Sequence, residues 1–233
     1  MAKKKVSDVK GDQRLENIEE TLSQTEQFIF KNWKLIAGVV IATVVLITGY
    51  FIYQSNYLEP RTEEAQSQMY VAQRFFESDS LDKALYGDGN SLGFIDIVDE
   101  YGMTDPGNLA NYYAGMSFLK KGNFEQAIDY LEDFNGKDNI IGPMATAAIG
   151  DAYMELGDAS KAAAYYLEAG NQRDNALTTP LFLLKAGETH EMLGNYDKAI
   201  DIYNRIKDNY SKSQEARVVD KYIGRATALK ERN

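Results

Sequence analysis

His190-Glu191-Met192-Leu193-Gly194 opens as a zinc-protease motif does, with a histidine followed by a glutamate. That chemistry needs a second histidine one helical turn on, so that two imidazoles on one face hold the metal. Gly194 stands there instead, and His190 is the single histidine of the chain. It is expected in the core. Asp88-Gly89-Asn90-Ser91-Leu92-Gly93 starts like a calcium loop, but Leu92 holds the fifth position and Asp99 the twelfth, where a bidentate glutamate belongs. The same stretch lacks Gly-x-Gly-x-x-Gly spacing, so it is read as a turn-rich connection and not as a nucleotide site. Glu63-Glu64 and Asp99-Glu100 offer paired carboxylates for acid–base work. On a chain of net charge −10 they read as solvated faces. The absence of cysteine removes disulfides, thiolate ligands and a cysteine nucleophile. A serine nucleophile lacks a base, since the one histidine is assigned to packing. The expectation is a non-enzymatic protein with no catalytic residues, no cofactor and no metal.

The elements that position these residues show a period. YYAGMSFLKKGNFEQAIDYL, TAAIGDAYMELGDASKAAAYYL and LLKAGETHEMLGNYDKAIDIY align in phase. Gly115, Gly150 and Gly187 recur inside one predicted helix, and Gly122, Gly157 and Gly194 recur at its end. Ala127, Ala162 and Ala199 follow as small residues, then Leu131, Tyr166 and Tyr203 as large ones. A mid-helix glycine costs about 1 kcal/mol against alanine. Close approach of two helix backbones offsets that cost, so the three glycines and three alanines are assigned to repeat packing. Asn123, Asp158 and Asn195 are expected to cap the second helix of each pair. One further step from Gly187 lands on Gly224.

This pattern resembles the tetratricopeptide repeat over about residues 108–233. The resemblance implies an all-α solenoid of roughly nine helices in a right-handed superhelix over residues 60–233. The units expected are a degenerate first one at 60–106, with Ala72, Phe75 and Ala84 in the small and large positions, repeats at about 108–141, 143–176 and 180–213, and one capping helix at 214–232. Such solenoids bind extended or helical segments in a concave groove. On this register the groove is lined by Leu109, Tyr112, Met116, Leu119, Met144, Met154, Leu181, Leu184 and Met192, a methionine-rich and adaptable surface.

Residues 35–53, LIAGVVIATVVLITGYFIY, are free of formal charge. At 1.5 Å per residue they reach about 28 Å, near the hydrocarbon thickness of a bilayer. Trp33 and Lys34 precede the run, and Tyr50, Tyr53 and Tyr57 mark its far end, where interfacial aromatics are expected. No small-x-small cleavage site follows, so a single transmembrane helix at 34–54 is predicted, in contact with the lipid bilayer. Seven Lys/Arg residues lie before it and only Arg61 in the first twenty residues after it. The positive-inside rule then places residues 1–33 in the cytoplasm and the rest outside, in the periplasm of a two-membrane cell. Residues 35–233 hold a net charge of −11, which argues against nucleic acid as a partner. Leu15, Ile18, Leu22 and Ile29 fall at helical spacing in the leader. They form either a helix against a membrane or partner, or part of a loosely ordered charged leader.

The whole layout is similar to the YfgM-like ancillary subunits of the SecYEG translocon, and ALYGDGNSLGFIDIVDEYG resembles their first unit in Bacteroidota. That resemblance implies an inner-membrane accessory with the SecYEG translocon as a partner. It also implies contact with a membrane-anchored, prolyl-isomerase-like periplasmic chaperone, and with translocating polypeptides. An anchored scaffold for cell-envelope or division machinery is the alternative. Asp79-Ser80-Leu81 has the form of a Bacteroidota O-glycan acceptor, and a plain loop or helix start is the favoured reading.

Overall fold

The computed structural model describes residues 5–232, with side chains from Glu26 onward. Leu15, Ile18 and Leu22 therefore lie outside the described side chains. Every regular element among the described residues is helical, and the chain divides into two units, Met1–Glu59 and Pro60–Asn233. The first unit is one helix, α1 (Lys5–Tyr53), followed by a π-helical turn at Gln54–Leu58. None of its apolar stretch is buried, and Leu46 is 74% exposed. It is long and apolar enough to cross a membrane.

The second unit is a stack of helix pairs. α2 (Glu59–Glu77) is followed by two short helices, α3 (Leu81–Tyr86) and α4 (Phe94–Tyr101). Three regular pairs come next: α5 (Asp105–Lys121) with α6 (Phe124–Asp133), α7 (Ile141–Glu155) with α8 (Ala159–Gln172), and α9 (Thr179–Met192) with α10 (Tyr196–Asn209). The stack ends in α11 (Val219–Lys230). That makes ten α-helices among the described residues of this unit, one more than the sequence suggests.

Local chemistry sets the boundaries. Thr104 caps α5 by accepting a bond from the Gly107 amide at 3.1 Å, and Pro106 in the first turn donates nothing that the helix needs. Gly122, Gly157 and Gly194 end the first helix of each pair with φ of +80°, +80° and +75°. Each turn closes by the amide just after the glycine bonding back to a carbonyl five residues earlier, as Asn123 does to Phe118 at 3.0 Å. The expected caps differ among the pairs. Asp158 accepts from the Lys161 amide at 3.1 Å, whereas Asn123 and Asn195 make no side-chain cap bond.

The apolar faces close into three clusters. Ala65, Met69, Phe94, Ile97 and Phe118 pack α2 and α4 onto α5. Tyr112, Leu131, Ile149 and Ala152 join α5, α6 and α7. Tyr166, Leu183, Tyr203, Ile206 and Val219 run from α8 to α11. The stretch read as one helix from 214 is instead a 3-10 turn, Glu215–Arg217, ahead of α11. Ser213 accepts the Ala216 amide and tightens the chain there, so the helix restarts at buried Val219.

Candidate protein-binding face

The regular helix pairs are held by contacts that leave no room for a side chain at three positions. A Cβ on Gly115 would lie 2.5 Å from Leu131 Cγ, and one on Gly150 would lie 2.8 Å from the Tyr166 ring. A Cβ on Gly187 would run into the Tyr203 ring. Ala127, Ala162 and Ala199 are wholly buried on the facing helices. Gly224 differs, because nothing lies within 4 Å of its Cβ position. No following helix packs on α11 at that point among the described residues.

The proposed groove residues divide into three kinds. Met192, Leu181 and Met144 are exposed, at 61%, 40% and 39%. Leu109, Met116, Leu119, Met154 and Leu184 are half-buried against the clusters beneath them. Tyr112 is only 9% exposed, its ring 5.6 Å from that of Phe134, so it belongs to the core and not to a groove. One residue of register turns it inward.

Two clefts lie on the first helices of successive pairs. A cleft of about 490 Å³ between α2 and α5 is lined by Met69, Tyr70, Gln73, Asp105, Pro106 and Leu109, among others. One of about 230 Å³ between α7 and α9 is lined by Met154, Tyr166, Lys185, Glu188, Thr189 and Met192. The exposed apolar groups and the clefts thus share one set of helices.

Two polar ties that the sequence reading missed link successive helices, and Tyr166 and Lys185 of the first line the second cleft. Tyr166 Oη donates to Asp151 Oδ1 at 2.6 Å, and Lys185 Nζ donates to the same carboxylate at 2.6 and 3.0 Å. Tyr203 Oη donates to Glu191 Oε2 at 3.1 Å, and Arg225 grips Glu191 through Nε at 2.6 Å and Nη2 at 3.0 Å. In each tie, a phenol from the second helix holds a carboxylate on the first helix, and a cation from one unit further on completes it. Burial, with the bonded carboxylate, pushes the Tyr166 and Tyr203 hydroxyls well above the ordinary tyrosine value. Burial and a bond to Glu132 push Tyr165 up to about 12. All three stay neutral donors at neutral pH. Asp151 to Lys185 and Glu191 to Arg225 are both separated by 34 residues, about one repeat. Acid and base one period apart were the signal available in the sequence.

The tempting motifs are structural here. Asp88 Oδ1 accepts the Asn90 and Ser91 amides at 3.0 and 2.9 Å, a turn that holds its carboxyl below the ordinary value. His190 is 6% exposed, and neither ring nitrogen finds a hydrogen-bond partner. Burial first, then the Lys198 charge, holds it below the ordinary histidine value. Among the described residues, no cluster of three or more histidine, aspartate or glutamate side chains is placed to hold a metal.

Comparison with known proteins agrees with this architecture. Residues 112–176 and 147–213 match the family described as Tetratricopeptide repeat. No curated protein matches the sequence. Two crystal structures of nearly identical TPR-like repeats from a Podosopora anserina kinesin light chain have the same fold. One, a single-residue variant, is 12% identical with a TM-score of 0.55, covering 76% of this chain and 91% of that one. The other is 10% identical with a TM-score of 0.56, covering 74% and 89%. At such identity the likeness is one of fold. Residues 112 to 213 carry tetratricopeptide repeats, the α-solenoid architecture of protein–protein interaction scaffolds.

Proposed function

We propose that this protein is a non-enzymatic, membrane-anchored scaffold of the bacterial cell envelope and an accessory subunit of the SecYEG protein translocon. In this reading α1 anchors the chain in the inner membrane. The solenoid stands in the periplasm, where it binds a membrane-anchored, prolyl-isomerase-like chaperone, emerging polypeptides, or both.

The observation that carries the reading is one helix long and apolar enough to cross a membrane, in the same chain as a tetratricopeptide solenoid. The distribution of polar groups supports a scaffold over an enzyme. Asp151, Lys185, Glu191 and Arg225 are engaged in inter-helix ties, and His190 is packed away from solvent. These first helices present Met144, Leu181 and Met192 outward, apolar surface of the kind found at the centre of protein interfaces.

The test is affinity purification of the tagged full-length chain from native membranes in mild detergent, with mass spectrometry of what comes with it. Recovery of the SecYEG channel together with a periplasmic chaperone is expected. Recovery of division or outer-membrane assembly proteins without the channel would overturn the translocon assignment and leave an envelope scaffold.

A further inference from the structure

The cleft between α7 and α9 has an apolar floor and an unbalanced rim. Met192, at 61% exposed, and half-buried Met154 supply thioether surface. Unbranched, polarisable side chains of this kind adapt to aliphatic groups of varied shape. Lys185 and Glu188 line the cleft, and the helices that build it and follow it add Asp151, Glu155 and Glu191 from α7 and α9 and Arg225 from α11, a net of −2.

Both cations are already engaged. Lys185 Nζ sits on Asp151 and lies 5.2 Å from the centre of the Tyr166 ring. Arg225 is held by Glu191 and lies 4.8 Å from the centre of the Tyr222 ring. The remaining charge belongs to Glu155 and Glu188, both exposed. Glu188 meets the phenol of Tyr222, a neutral group that leaves its charge uncompensated. Glu155 follows Met154 directly and bears on Tyr166 through its charge. No described cation forms an ion pair with either carboxylate. The rest of the solenoid adds to the same field, since residues 35–233 carry a net of −11.

We propose that this cleft takes a short cationic segment of a partner protein. An aliphatic side chain seats against Met154 and Met192, and a lysine or arginine lies beside Glu188 and Glu155. Charge complementarity argues for this occupant. An acidic segment would meet two uncompensated carboxylates, and the lysine and arginine that could receive it are already bound within the fold. The inference rests on the scaffold reading and names the chemistry of the partner.

The experiment uses the full chain in phosphatidylcholine nanodiscs, with empty discs as the blank. The probe is a fluorescent 18-residue amphipathic peptide of lysine and leucine, read by anisotropy. Two comparison peptides replace every lysine by glutamate or every leucine by serine. The lysine–leucine peptide should bind, and its affinity should fall as salt rises from about 50 to about 300 mM. Glu188→Lys should weaken it about tenfold, and Met192→Ser about fivefold. Both side chains are exposed, so the fold should persist, and the helical circular dichroism checks that. Asp208→Lys makes the same charge change at an exposed position of α10 and should alter binding less than about twofold.

Equal binding of the lysine–serine peptide would reduce the effect to general attraction and overturn the proposal. So would equal binding of the glutamate–leucine peptide, or an equal loss from Asp208→Lys. If none of the peptides binds while the purification above recovers a partner, the partner chemistry is overturned and the scaffold stands. If neither succeeds, both readings fall.

Discussion

His190 is a residue at which this solenoid carries a local cost. Phe118 and Tyr153 hold the same place in the two preceding units, and each stacks on a neighbouring ring, 5.4 Å between centroids in both cases. His190 is as buried as an aromatic there should be, yet both ring nitrogens lack partners. A buried polar group left unpaired costs about 1 to 3 kcal/mol. His190→Phe should therefore stabilise the full-length protein by about 1 kcal/mol, or about 2 to 4 °C in melting temperature for a domain of this size. The pH dependence has a definite sign. Burial holds the folded-state pKa below the ordinary value of 6.5, so the unfolded chain binds the proton more readily. This contribution to stability is whole above about pH 6.5 and is lost as pH falls below it. The wild-type melting temperature should fall between pH 7 and pH 5 more steeply than that of His190→Phe. Parallel curves would show that His190 finds a partner in solution.

At the scale of the helix pair, two glycines two periods apart, Gly150 and Gly224, should respond oppositely to the same substitution. Alanine is the better helix former by about 1 kcal/mol wherever space allows. Gly224 has that space, so Gly224→Ala should raise the melting temperature by a few degrees. Gly150 lacks it, and the Tyr166 ring in the way is held by its hydroxyl on Asp151. Gly150→Ala should be destabilising despite the propensity gain, and Gly150→Leu should cost a few kcal/mol by separating the helices. Thermal unfolding followed by circular dichroism decides it, and two shifts of the same sign would mean that packing does not govern these positions. Much of this level was legible in the sequence. Three in-phase sets of glycine, alanine and a large residue identify the helix pairs, because backbone approach permits few residue types. Gly224 matched the period without the contact, since the period says nothing about whether another helix follows. Tyr112 was misplaced, because first-helix positions alternate between groove and core within a single residue. The Asp151–Lys185 and Glu191–Arg225 ties were not read, since carboxylates are abundant on this acidic chain and their partners are fixed by rotamers across units.

The whole chain combines an uncharged stretch and a strongly acidic one, and the order of charge predicts which side of a membrane each part would take. Lys3, Lys4, Lys5, Lys10, Arg14, Lys31 and Lys34 precede the apolar residues of α1, and Arg61 alone follows within twenty. Basic residues flanking a span are retained on the cytoplasmic side, while acidic residues contribute little to that choice. The expected topology is N-terminus inside and solenoid outside. The absence of cysteine makes this directly measurable, because any introduced thiol is unique in the protein. Ser211→Cys lies in the exposed segment after α10, and Ser7→Cys lies in the leader. In spheroplasts, a membrane-impermeant maleimide should label Ser211→Cys at once and Ser7→Cys only after lysis. The reverse pattern would put the solenoid in the cytoplasm, where a periplasmic chaperone cannot reach it, and would remove the translocon role proposed for it. Labelling of both in intact spheroplasts would mean that α1 does not cross the bilayer, and that its exposed apolar surface is covered by another protein.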